Sequence, residues 1–169
     1  MIDPREFDAF YLEARQRVLR CVFLVTGDLA EAQDATQEAF VRAWQRWDRI
    51  ASYVDPEAWV RMVACRIAVG RWRSLKRRAA ALRLLRAGSA RAVDGPSSQR
   101  LDIVVALRAL PAGQRIAIVL HYFVGMPIAE IAQQTEVAEG TVKARLSRGR
   151  KALAGLLDSR AHQEETSHV

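Results

Sequence analysis

The chain has 169 residues, half of them hydrophobic and 7% aromatic, with a formal net charge of +7. Ala, Leu, Arg and Val dominate and strand formers never alternate for long, which argues against a sheet-built core and for an all-α fold. Cys21 and Cys65 form no CxxC or Cys/His cluster, so they read as small core residues in a reducing cytosol rather than a disulfide framework or a metal site.

The first helical pattern runs from about Asp3 to Val25, with Phe7, Phe10, Tyr11, Ala14, Val18, Cys21, Val22 and Val25 recurring at threes and fours. Thr26-Gly27-Asp28 breaks it, Gly27 being suited to a left-handed helix end. A second helix, Leu29 to Trp47, puts Ala32, Ala35, Ala39, Phe40, Ala43, Trp44 and Trp47 mostly on one stripe and leaves Asp34, Glu38, Arg42 and Gln45 off it. Ser52 to Pro56 reads as a connection. A third long helix starts near Pro56, a residue favoured in a first turn, and carries Trp59, Met62, Val63, Arg66, Ile67 and Gly70 towards Lys76. The stretch GSARAVDGPSSQ has no apolar periodicity and the turn residues of a linker, which places a flexible linker at 81–98 between domains at 1–80 and 99–158. The second domain reads as four helices: Gln99 to Leu110, Ala112 to Phe123, Pro127 to Gln134 and Glu139 to Leu157. A polar tail, 159–169, is expected to fray.

Charge is unevenly spread. Residues 1–57 hold 7 basic and 11 acidic residues, whereas 58–93 hold 10 basic and no acidic ones. Lys143 to Lys151 carries five cations and no anion. Two basic zones behind an acidic front fit nucleic acid at two places and a different partner elsewhere; a merely solvated Arg-rich surface is the bland alternative. The acidic N-terminus is unlike a signal peptide and the apolar runs are far too short for a membrane span, so the expectation is a soluble, cytoplasmic protein without membrane insertion.

The sharpest motif is PIAEIAQQTEVAEGTVKARLSRGRKALAGLL: a short helix, a tight turn and a longer helix with cations on one side. Val142, Leu146, Gly149, Leu153 and Leu156 fall on a core-facing stripe. Thr141, Arg145, Arg148 and Lys151 lie on a neighbouring stripe able to face outward, flanked by Lys143 and Arg150. A helix of this shape fits the major groove of DNA, and its N-terminal amides favour a phosphate. Taken alone, the motif also suits an ordinary repressor or activator.

With both halves read, the chain resembles the extracytoplasmic-function (ECF) RNA polymerase sigma factors, in the Arg-, Ala- and Trp-rich style of actinobacterial members. DATQEAFVRAW (Asp34–Trp44) is similar to sigma region 2.2, AWVRMVACRIAVGRWRSLKRR (Ala58–Arg78) to regions 2.3 and 2.4, and Leu110–Leu153 to region 4, in the family's order. The resemblance implies two helical domains, region 2 and region 4, on a tether. It implies that Asp34, Gln37, Glu38 and Arg42 dock on the β′ clamp helices of core RNA polymerase. Arg61, Arg66, Arg71, Trp72, Arg73, Lys76 and Arg77 would meet the −10 element, Trp72 stacking on an unpaired base while Trp59 stays with the core. Glu139, Thr141, Lys143, Arg145, Arg148 and Lys151 would meet the −35 element. An anti-sigma factor is the further partner implied, with no cofactor, no metal and no small-molecule substrate.

Arg66 stands where many relatives carry Asn and Gly70 where a polar residue is common, so the family's −10 base preference does not transfer. In the turn, Glu136 replaces a frequent Gly and Ala138 a frequent Ser, the latter forgoing about 1 kcal/mol of capping. Two other functions compete. A conventional helix-turn-helix regulator would be a dimer on palindromic sites, but leaves Asp34–Trp44 and the acid-free third helix without a purpose. An enzyme lacks a nucleophile motif, a phosphate loop or a metal-spaced histidine set, since His121 sits in an apolar helix and His162 and His168 lie in the tail.

Overall fold

The first helix, α1 (Pro4–Thr26), buries Phe7, Ala14, Val18, Cys21, Val22 and Val25, the stripe that threes and fours dictate. It stops at Gly27, whose φ of +68° is the left-handed conformation a Cβ would resist. Asp28 then caps α2 (Leu29–Trp44) by accepting a 2.9 Å hydrogen bond from the Glu31 amide. On α2 the inward residues Ala32, Ala35, Ala39 and Ala43 are fully buried, and their small size lets α1 and α4 approach closely. Asp55 accepts from the Ala58 amide at 2.8 Å and so starts α4 (Pro56–Arg83). The computed structural model describes residues 4–83 and 102–166, with the backbone alone at 82, 83, 102 and 159–166.

Helices α1, α2 and α4 pack mutually into a three-helix unit closed at one end by aromatic rings. The second helix ends three residues earlier than its apolar pattern predicts. Its last turn gives way to the short α3 (Trp47–Ile50), which turns Trp47 onto Phe7 and Phe10 with ring centroids 5.1 and 4.8 Å apart. The gain is burial of Trp47 and Ile50, which a continued α2 would not deliver. Elsewhere in this unit the Cys21 and Cys65 thiols interact: their hydrogen bond lowers the pKa of Cys21, and the same bond together with burial raises that of Cys65 well above the ordinary thiol range.

The second unit comprises α5 (Asp102–Ala109), α6 (Ala112–Ile118), α7 (Ile128–Thr135) and α8 (Glu139–Thr166). A π-helical turn, Val119–Phe123, prolongs α6 and turns Tyr122 and Phe123 outward. Leu107, Ile116, Leu120, Met126, Ile131 and Val142 form its core. Helix α8 lies so near α6 that a Cβ on Gly149 would stand 3.0 Å from Ile118 Cγ1.

Helix α4 continues to Arg83, into the interval expected for the linker: RRAAALR contains strong helix formers and no Gly or Pro. The rest of the linker interval, from 84, lies outside the described residues. Helix α8 runs on to Thr166, past the domain end expected at 158. Leu156, expected on the core stripe, is exposed.

The two units share one apolar cluster. Arg115 of α6 donates to the carbonyls of Val25 and Thr26, both at 3.2 Å, and so satisfies the C-terminal end of α1. Burial, and then the charge of Arg108, lower the pKa of the Arg115 guanidinium. On the other side, α4 rests against α7.

Candidate polymerase and nucleic-acid interfaces

The apolar stripe of α2 faces inward, so the remaining faces of the helix project outward. Asp34, Gln37 and Arg42 are exposed and Glu38 is partly so. Glu38 accepts from Arg42 one turn on at 2.5 Å, and from Arg71 of α4 at 2.9 Å. Arg71 also stands 3.8 Å from Glu31. These pairs tie the α2 face to α4 across an open groove that Trp59, Arg66 and Gly70 also line. The floor of a neighbouring apolar groove is formed by Phe7, Tyr11, Phe40, Val41 and Trp44, with Val41 and Trp44 exposed.

The cations of α4 do not stand alone. Arg61 points towards Glu57, 3.7 Å away in the preceding turn, and is only partly exposed. Arg66 pairs with Glu130 of α7. Arg73 donates to the Gln134 carbonyl at 2.7 Å and lies 3.5 Å from Glu136, while Arg77 donates to Glu136 at 3.1 Å. Lys76 sits 5.3 Å from the centre of the Trp72 ring. Trp59 and Trp72 are both half-buried against the core; Trp72 carries that cation over its ring, and Trp59 also borders the open groove beside Arg66 and Arg71.

Helices α7 and α8 form the helix-turn-helix. The amide of Val137 bonds the Ala132 carbonyl at 3.1 Å and that of Glu136 bonds Gln133 at 3.3 Å, a C-terminal motif usually built on glycine. Glu136 fills the glycine's place with φ +53° and ψ +48°, a conformation costing an L-residue about 1–2 kcal/mol. The Ala138 carbonyl accepts from the Thr141 and Val142 amides, so Ala138 occupies the cap position and offers no side-chain oxygen to it. Glu139, Thr141, Lys143, Arg148 and Lys151 are all exposed along α8. Arg145 departs from that outward set: it lies over Gly113, whose missing Cβ leaves room for the guanidinium about 3.1 Å from where a Cβ would be. Arg150 donates to the Tyr122 hydroxyl at 3.2 Å.

Sequence reasoning missed Glu130, Glu136 and Arg115 as interacting groups, although the odd presence of Glu136 in a glycine position was a signal. His121 has its Nδ1 3.2 Å from the Met126 carbonyl. Among the described residues no group of three His, Cys, Asp or Glu side chains is placed to hold a metal ion, and no helix is long and apolar enough to cross a membrane.

Residues 10–78 match the family model described as Sigma-70 region 2, and residues 100–153 that described as Sigma-70, region 4. The ECF RNA polymerase sigma factor SigL of Mycobacterium tuberculosis is 33% identical over 150 residues, covering 86% of this chain and 85% of SigL. SigJ of the same species is 31% identical over 164 residues, covering 90% of this chain but 50% of SigJ; the chain spans half the length of that relative. The sigma factor RpoE from Bartonella quintana, solved in complex with the anti-sigma factor NepR, aligns with a TM-score of 0.59 at 24% identity, over 91% of this chain and 98% of RpoE. That likeness speaks to the fold.

Proposed function

Because this chain belongs to the ECF RNA polymerase sigma factors, which direct promoter-specific initiation, we propose that its three outward-facing helices divide that task. Asp34, Gln37, Glu38 and Arg42 of α2 dock on the β′ clamp helices of core polymerase, their acids meeting a basic partner. Helix α8 enters the major groove at −35 through Thr141, Lys143, Arg148 and Lys151, with Glu139 at its first turn and Arg145 bracing the helix against α6. Arg61, Arg66, Arg71, Arg73, Lys76 and Arg77 of α4 neutralise phosphates at −10, and a tryptophan bordering them, Trp72 or the groove-facing Trp59, stacks on an unpaired base.

The observation that carries this reading is the row of exposed cations on α8, presented by a helix-turn-helix in the same chain as an exposed polar α2 face. The chain acts by binding, in the cytoplasm where the polymerase is, and an anti-sigma factor is its restraining partner. Core polymerase with and without the chain, assayed on genomic promoter fragments, tests the reading. Promoter-dependent transcripts that vanish with Lys143→Ala/Arg148→Ala are the expected result. A stable dimer on palindromic sites with no gain in initiation would overturn it.

A further inference from the structure

Three of the α4 arginines assigned to DNA are already occupied by the helix-turn-helix of the same molecule. Glu130, at the start of α7, pairs with Arg66. Glu136, at its end, faces Arg73 and Arg77 at 3.5 and 3.1 Å, and the Gln134 carbonyl takes a 2.7 Å bond from Arg73. The two carboxylates lie at opposite ends of α7 and each meets arginines of α4, so α7 presents anions to that basic helix. Anionic oxygens in front of guanidiniums are also what a phosphate backbone supplies. Glu136 holds its place in a left-handed conformation that glycine would adopt without cost. A strained residue whose side chain bridges two arginines across a domain boundary serves the bridge rather than the turn.

We propose that Glu130 and Glu136 form an intramolecular latch, a stand-in for DNA phosphates that closes region 4 onto the −10 surface of region 2 in the free chain. Promoter phosphates and these carboxylates compete for the same guanidiniums. The free protein is therefore poor at engaging −10 DNA until polymerase holds the two units apart. The proposal rests on the reading that α4 meets the −10 element.

The test uses the full chain without polymerase, a fluorescent fork-junction oligonucleotide and small-angle X-ray scattering. Glu130→Gln/Glu136→Gln is expected to raise the radius of gyration and tighten fork binding roughly tenfold, the scale of several cooperating surface ion pairs. Glu136→Gly, which removes the carboxylate while relaxing the turn, should shift both readouts in the same direction and keeps the test open if the double variant folds poorly. Glu6→Gln/Glu13→Gln on α1 is matched in net charge and should do neither; equal tightening by this control would reduce the effect to overall charge and overturn the latch. So would an unchanged radius and affinity in both latch variants. Arg71→Ala/Lys76→Ala, α4 cations that do not touch α7, reads the underlying assignment separately: added to the opened chain it should weaken fork binding, and no weakening would remove the −10 role of α4 and the latch with it.

Discussion

Helices α4 and α8 are each 28 residues long and each carries a run of arginine and lysine, yet they dispose of that charge in opposite ways. On α4 every arginine from Arg61 to Arg77 has an acidic partner, at Glu57, Glu130, Glu38 or Glu136. On α8, Lys143, Arg148 and Lys151 project from a helix whose inner face is seated through Val142, Leu146 and Gly149. The contrast teaches that a basic composition does not measure availability for DNA. Availability depends on whether the fold places carboxylates opposite.

The largest effect should separate the two helices on random-sequence duplex. Lys143→Ala/Arg148→Ala/Lys151→Ala should lower the affinity of the free chain at least about 100-fold and reduce the salt slope of log K by about three. Arg66→Ala/Arg73→Ala/Arg77→Ala should move the same affinity by less than about threefold, since those groups are held in ion pairs. Equal losses in fluorescence anisotropy titrations would erase the distinction. Next, seating α8 requires Gly149: Gly149→Val drives a branched side chain into Ile118 and should cost about 2–3 kcal/mol in urea denaturation. Arg115→Ala leaves the Val25 and Thr26 carbonyls without their donor and should cost about 2 kcal/mol by the same measurement, with Arg115→Lys recovering part of it. The smallest effect belongs to Arg71→Ala, about 0.5–1 kcal/mol by thermal denaturation, because its pairs with Glu38 and Glu31 are half exposed.

Much of the architecture was legible because periodicity reports which face of a helix is buried. The stripes of α1 and α2, the break at Gly27, the start at Pro56 and the helix-turn-helix all follow from spacing and turn chemistry. What periodicity does not report is which buried or charged faces meet. The partners of Arg73, Arg77 and Arg115 lie 61, 59 and 90 residues away, and the Cys21–Cys65 contact joins different helices. Arg145 illustrates the same limit, since its outward stripe position yielded to space over Gly113. Helices α4 and α8 run past the boundaries expected at 80 and 158 because no glycine or proline in RRAAALR, and none after Gly155 in α8, stops them.

Glu136 also has a consequence for how this protein can change over generations. Both glutamate codons become glycine codons by a single change at the second base. That step leads to a backbone already shaped for glycine, so the turn would survive it and lose strain. The carboxylate facing Arg73 and Arg77 would disappear in the same step. A less restrained form of the chain is therefore one mutation away without damage to its scaffold, whereas the present residue persists against a standing backbone penalty.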